Sequence, residues 1–338
     1  MIDYIYAEQE ALAYPAAQRV FAAFREARTV VIENYKDVFS RPGQNFSVQK
    51  QHPALILAVN HGNFLYEGAD NCQDFGYQGF YYASCAKNCL YHCDYCYLQG
   101  MYRSGNIVIF VNIEDCLRET ERLIEARKGS GGVYLCLSYD TDLLALEHVL
   151  GYAKIWNTFA ARLEAADRFT AEIRTKSGMT SFFEENTPQN NMIFAWSAAP
   201  EQMIAAYEKR TAPLSARLAA AKFAMDKGFR VRLCLDPVID EGKEIMAAYE
   251  PVAKAIRASG LSGGLDSVSV GAFRIPADFV KIMRKNAPCS PLSWYPYCIE
   301  NGTASYETER LQEINREIVR LLTDAGIDER KIFVYGDR

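Results

Sequence analysis

No run of apolar residues in this 338-residue chain is long enough to span a bilayer, which excludes a helical membrane anchor within it. Its first residues, MIDYIYAEQEALAYP, carry acidic side chains and no apolar core behind a basic start, so they do not read as a secretory signal. Low-complexity tracts and internal repeats are also missing, which argues against disorder and against a solenoid. Positive charge is not in excess: 37 Lys and Arg face 42 Asp and Glu, for a net charge of −5. That removes a general electrostatic pull on nucleic acid, although a local basic groove is compatible with it. What remains is an ordinary globular composition, 49% hydrophobic and 23% charged. The chain is long enough for one large domain with appendages. The expectation is a cytoplasmic protein with no membrane partner.

Against these absences stand ten cysteines. Without a secretory signal they read as thiols or metal ligands rather than a disulfide framework. Four crowd into SCAKNCLYHCDYCYLQG, at Cys85, Cys89, Cys93 and Cys96. Iron–sulfur clusters normally take four thiolates, so the compact set Cys89, Cys93 and Cys96 would leave one iron open to another donor. The competing reading is a zinc loop that also uses Cys85. Its spacing is unusual, because zinc sites more often pair two close ligands with a second, distant pair. Cys72, Cys116, Cys234, Cys289 and Cys298 read as small core or loop residues. Tyr91, Tyr95 and Tyr97 would shield or pack against whatever the cysteines hold, and His92 reads as a solvent-facing loop residue.

Apolar, β-rich runs alternate with helical patterns from residue 106 onward: NIVIFVN (106–112), VYLCLS (133–138), FTAEIRTK (169–176), MIFAWSA (192–198), RVRLCLDP (230–237) and LDSVSVGA (265–272). Amphipathic stretches at 113–128 and 214–228 separate some of them. The second closes on glycine after lysine, as a helix end does. Alternation of this kind predicts parallel βαβ units with right-handed crossovers. Six units are too few for a closed eight-fold barrel, so the α/β fold expected is a partial barrel with its functional groups at the C-terminal strand ends. The expected division is an N-terminal flanking region (1–84), the barrel (85–286) with the cysteines just before its first strand at 106–112, and a C-terminal extension (287–338). The extension reads as loop, then helix to about Ala325, then a short strand in KIFVYG.

The segment CLYHCDYCYLQ, with IVIFVNIED after it, resembles the spore photoproduct lyase family, radical S-adenosylmethionine (SAM) enzymes that reverse a thymine dimer lesion in DNA. Similar texture appears in YIYAEQEALAYP, DLLALEH (142–148), RTK ending at Lys176, WSAAPE (196–201), TAPLSARLAAAKFAMDKGF and LDPVI (235–239), covering most of residues 1–285. The resemblance implies a partial (β/α)6 radical SAM barrel. It implies a 4Fe-4S cluster on Cys89, Cys93 and Cys96, with the amino and carboxylate groups of SAM on the open iron. Thr141, Lys176, Ser197 and Asp236 would lie near SAM at successive strand ends, Asp236 standing where the family usually has a small residue. A reducing donor such as flavodoxin or ferredoxin, and DNA as the partner carrying the lesion, are implied too.

The resemblance breaks at the hydrogen donor. The family uses a cysteine three residues before the aspartate that matches Asp142, and that position is Tyr139 here. Cys136 lies three residues earlier, on a strand whose alternation would point 136 and 139 to opposite faces unless its end bends. Tyr139, Cys136, or a relay through Tyr95 and Tyr97 are the candidates. The family's arginine–tyrosine element for DNA has no clear counterpart after Pro288, and Arg274, Lys281, Arg284 and Lys285 read as a solvated helix face. Two functions stay open: radical repair of a thymine dimer, or radical SAM chemistry on a different, non-DNA substrate. A non-enzymatic iron–sulfur or zinc module is a third class.

Overall fold

The apolar runs assemble into two sheets in the computed structural model, which describes residues 2–69, 72–163, 168–242 and 245–336. The larger sheet contains β1 (Phe80–Ala83), β2 (Val133–Cys136), β3 (Phe169–Thr175), β4 (Met192–Ser197), β5 (Arg230–Val238) and β6 (Ser267–Ala272), each parallel to the next in chain order. A seventh parallel strand, β7 (Ile332–Val334), extends it beyond β6, and Leu65–Glu67 pairs antiparallel at the other edge. This is the expected partial barrel. Its central strands are buried on both faces, as parallel strands covered by helices must be: every residue of β4 and of β6 is buried.

The first barrel strand differs from the sequence reading. Residues Ile107–Phe110 do not belong to the barrel; they pair with Leu55–Ala58 in a smaller sheet ordered Arg28–Ile32, Tyr4–Glu8, Leu55–Ala58, Ile107–Phe110, Ala86–Lys87. The true first strand is β1, whose aromatic and only partly buried FYYA carries a weaker apolar signal than IVIF. Hydrophobic periodicity detects a buried strand but says nothing about which sheet receives it. The cysteine loop therefore follows the first barrel strand instead of preceding it, and so leaves the C-terminal mouth where a parallel barrel gathers its functional groups. The division at residue 84 cuts across the sheets, since β1 lies before it and Ile107–Phe110 after it.

Helices Ile113–Ala126 and Leu214–Asp226 form where expected. The first buries Ile113, Cys116, Thr120 and Ile124, a single stripe at helical spacing. Beyond β6 the chain forms a three-stranded antiparallel sheet, Arg274–Pro276 with Thr303–Ser305 and Cys298–Glu300. Its hairpin turns through Asn301 and Gly302, at φ 48° and 77°, the pair of left-handed residues that a two-residue turn requires.

Candidate active site

Between β1 and the helix at 113 the chain makes the loop that carries the cysteines, and polar anchors hold it from several sides. Buried Asn88, at φ 71°, donates through Nδ2 to the carbonyls of Ser104 (2.6 Å) and Asn106 (2.7 Å), which ties the loop's entry to its exit. Residues His92–Cys93 pair antiparallel with Glu208–Lys209, Asp94 N–H donates to Tyr207 O at 2.8 Å, and Lys209 Nζ meets Asp94 Oδ1 at 2.9 Å. His92 is half-buried with its ring 6.5 Å from that of Phe46, rather than solvent-facing. Burial first, then Lys209 and Lys50, lower its pKa to about 4.

Cys89, Cys93 and Cys96 line one cavity of about 490 Å³. Each thiol is in part open to that cavity, yet so enclosed by protein that burial pushes its pKa up, to about 12 for Cys89. Tyr91 N–H donates to Cys89 Sγ at 3.4 Å. Three thiols converging on one cavity fit a cluster held by three thiolates. Cys85 does not join them: its Sγ lies 3.6 Å from that of buried Cys116. The four-cysteine zinc reading thereby loses its fourth ligand. Among the described residues no three His, Cys, Asp or Glu side chains converge on a single-ion site.

The strand-end residues named from the sequence reach the same cavity: Thr141, Lys176, Ser197 and Asp236, together with Tyr95, Tyr97, Cys136 and Tyr139. Lys176 Nζ lies 3.3 Å from Ser197 Oγ and 3.9 Å from Glu208 Oε1. Burial lowers the pKa of this lysine, but Glu208 and then Cys93 outweigh it and hold the ammonium above its usual value. Thr141 is buried, and its Oγ1 is without a hydrogen-bond partner, a donor left for a ligand. Asp236 is already engaged. Arg274 Nη1 and Nη2 donate to it at 2.9 and 3.3 Å, and Arg174 lies 3.9 Å away. Arg274 is thus not part of a solvated helix face; it turns into the cavity, its guanidinium 3.8 Å over the ring of Tyr335.

Two residues that sequence reasoning did not single out complete the site. Buried Glu208 accepts from the Tyr95 hydroxyl and from Arg217, a fully buried guanidinium, while facing Lys176. Asp142 accepts from Thr175 Oγ1 (2.9 and 3.0 Å), Lys176 N–H (2.7 Å) and Ala145 N–H (3.0 Å), so it fixes the turn that presents Lys176.

The second addition concerns hydrogen donors. Strand β2 ends at Cys136 and the chain then bends, so that Cys136 and Tyr139 both line the cavity. The Tyr139 ring stacks on Tyr82 at 4.1 Å, and its hydroxyl lies 3.7 Å from Cys72 Sγ. Cys72 lines the cavity too. Tyr97 donates its hydroxyl to the Tyr139 carbonyl, with ring centroids 5.6 Å apart, whereas Tyr95 turns to Glu208. Tyr95 and Tyr97 therefore diverge, and the contacts run Tyr97, Tyr139, Cys72. The only sequence signal for Cys72 was its being a cysteine.

A partial parallel barrel whose first strand runs into a three-cysteine loop, with a lysine and hydroxyls at the facing strand ends, has the radical SAM fold. More narrowly, the chain belongs to the spore photoproduct lyase family, whose sequence model matches residues 1–259. It is similar to the spore photoproduct lyase of Geobacillus sp. (strain Y412MC61), 22% identical over 240 residues, 69% of this chain and 67% of that one. The Bacillus subtilis (strain 168) spore photoproduct lyase is 23% identical over 248 residues, 71% of this chain and 69% of that one. Among solved structures, spore photoproduct lyase complexed with dinucleoside spore photoproduct superposes with a TM-score of 0.83 at 18% identity, covering 99% of this chain and 98% of the other. A variant with bound AdoMet and dinucleoside spore photoproduct gives 0.81 at 19%, with the same coverage. At such identities the likeness speaks for the fold.

Proposed function

We propose that this chain is a radical SAM lyase that repairs a thymine dimer of the spore photoproduct type in DNA. It would work with a 4Fe-4S cluster on Cys89, Cys93 and Cys96, with SAM, and with a reducing donor such as flavodoxin or ferredoxin, in the cytoplasm. The observation that carries the reading is the convergence of three thiols, Lys176, Ser197 and Thr141 on one cavity in a member of this family. When bound, the cluster supplies the electron that splits SAM and so generates a carbon radical beside the lesion.

The chain's own groups do the rest. Lys176, held by Glu208 and aligned by Asp142, offers a cation to the SAM carboxylate, while Thr141 and Ser197 offer hydroxyls. Tyr91 and Tyr95 wall the cofactor side of the cavity. Asp236 is spoken for by Arg274 and Arg174, so it shapes the cavity floor rather than holding SAM. After the dimer bond breaks, the product radical needs a hydrogen atom from a donor in contact with it. Cys72 gives the hydrogen of its S–H bond to the product carbon and becomes a thiyl radical. The Tyr139 O–H, 3.7 Å away, then returns a hydrogen to that sulfur and moves the radical to the tyrosine, which one electron from the reducing donor and one proton from solvent restore.

The test is anaerobic reconstitution followed by reaction with SAM, reductant and dinucleoside spore photoproduct. Wild type should release deoxyadenosine and form the repaired dithymidine. Cys72→Ala should still cleave SAM and consume the lesion but divert the product radical to side products, while Cys136→Ala should behave as wild type. SAM cleavage that never depends on the lesion, with another substrate turning over instead, would refute the repair reading. Diversion in Cys136→Ala and not in Cys72→Ala would move the donor to Cys136.

A further inference from the structure

The cluster loop has a contact from outside the barrel. Helix Phe46–Gln51, in the N-terminal flank, projects Lys50 against it, and the Lys50 ammonium donates to the Cys89 carbonyl. Lys50 is only 3% exposed, although lysine is a residue type almost never fully buried unless paired. Its partners are that carbonyl and the ring of Phe46, 5.5 Å away. No carboxylate lies within ion-pair distance of it among the described residues.

The surroundings show that the placement is built. Gly105 lies where a Cβ would come within 2.5 Å of Phe46 O and 2.9 Å of Lys50 N, so only glycine lets the helix approach this closely. Next to Lys50, Gln49 Oε1 accepts from Gly105 N–H at 2.9 Å. Asn106 Oδ1 accepts from Ala54 N–H at 3.0 Å, and Asn88 binds the carbonyls on either side of Gly105. A hydrogen-bonded strap thus fixes the flank to the ligand loop with the lysine between them. The other charges near the thiols have their own counterparts: Lys176 faces Glu208, Glu208 faces Arg217, and Asp142 is saturated by N–H and O–H donors. Among the described residues, Lys50 is the buried cation beside the thiols with no carboxylate in ion-pair distance.

We propose that Lys50 is a positioning residue that both fixes Cys89 and raises the reduction potential of the cluster held by Cys89, Cys93 and Cys96. This rests on the cluster reading given above. An added electron deepens the negative charge of a three-thiolate cluster, and a fixed cation in a poorly screened interior favours that state. The N-terminal flank, through the helix Phe46–Gln51, then has a role in electron acceptance.

The experiment compares wild type with Lys50→Arg, Lys50→Gln and Lys50→Met after anaerobic reconstitution, by iron content and by potentiometric titration followed by electron paramagnetic resonance. Arg keeps the charge, Gln keeps a donor without charge, and Met keeps only the length. At a fixed potential, Gln and Met should lower the ratio of reduced to oxidised cluster at least tenfold, which is 59 mV for a one-electron couple, while Arg stays within about threefold of wild type. Wild-type potentials in both Gln and Met would overturn the inference. A wild-type potential in Gln with a drop in Met would overturn its charge part and leave the hydrogen bond to Cys89. If Met cannot retain iron, the Gln and Arg pair decides by the same criterion. Failure of wild type itself to bind iron would sink the cluster reading instead, so the two failures are distinguishable.

Discussion

Replacing Glu208 by Gln asks whether the cations of the site are held by a buried carboxylate. The side chains of Glu208 and Arg217 are 3% and 0% exposed, and Lys176 Nζ lies 3.9 Å from Glu208 Oε1. Gln keeps the shape and an acceptor but removes the charge, leaving two cations without their anion. Breaking one side of a buried pair costs about 3–5 kcal/mol. Arg217 would retain Ala212 O at 2.8 Å, Ser197 O at 3.0 Å and Thr211 Oγ1 at 2.7 Å, which places the expected loss near the lower end, about 3 kcal/mol. Against a total stability of about 5–15 kcal/mol, that is a large fraction.

The assay is anaerobic urea denaturation of the iron-free protein, reading the midpoint at unchanged slope, for Glu208→Gln, Arg217→Met and the double variant. The double variant should lose less than the sum of the singles, by about 0.5–3 kcal/mol, because the two share one interaction. The pH dependence carries a definite sign. Burial raises the Glu208 pKa, but Lys176 and Arg217 together outweigh it and leave the carboxyl below its ordinary value of 4.5. Its stabilisation is therefore fully present above pH 4.5 and is lost as pH falls through the lower folded value. A Glu208→Gln variant within about 0.5 kcal/mol of wild type, or strict additivity, would refute the paired-charge account.

Single replacements of Cys89, Cys93 or Cys96 by Ala should each abolish SAM cleavage and bleach the iron chromophore, while Cys85→Ala retains both, measured by iron content and absorbance after reconstitution. Loss of iron in Cys85→Ala would restore the four-cysteine reading. Lys176→Ala should weaken SAM binding by about 1–3 kcal/mol with iron unchanged, the scale of a lost charge-assisted hydrogen bond, measured by equilibrium binding to the reconstituted protein.

Much of the barrel was legible because its signal is local. The runs at 133–138, 169–176, 192–198, 230–237 and 265–272 are apolar over the right length, and each became the barrel strand expected. That Cys89, Cys93 and Cys96 reach one cavity was legible because their spacing is a property of adjacent residues. What failed was membership. IVIF and FYYA are both strands, but the choice between two sheets is made by partners at positions 55–58 and 133–136, far along the chain. Glu208 was unreadable for a related reason. A glutamate after a helix is ordinarily a surface residue, and only the antiparallel pairing of 208–209 with 92–93 carries it under the cysteine loop, between Arg217 and Lys176.

The proposed donor Cys72 illustrates why site chemistry is to be sought in space and not only in an aligned column. The resemblance placed a donor thiol at position 139, where this chain has tyrosine, and along the chain the nearest sulfur is Cys136. Strand alternation sets 136 and 139 on opposite faces unless the strand end bends, and it does bend, so that both line the cavity. In the fold a sulfur does stand beside that position, 3.7 Å from the tyrosine oxygen, but it comes from a segment 67 residues earlier in the chain. Hydrogen transfer depends on contact and orientation, and neither depends on which strand carries the donor. On the proposed reading the site exchanges the residue at one position and keeps its reaction because another segment delivers the same atom to the same cavity, since function belongs to the assembled site rather than to the fold or to one sequence position.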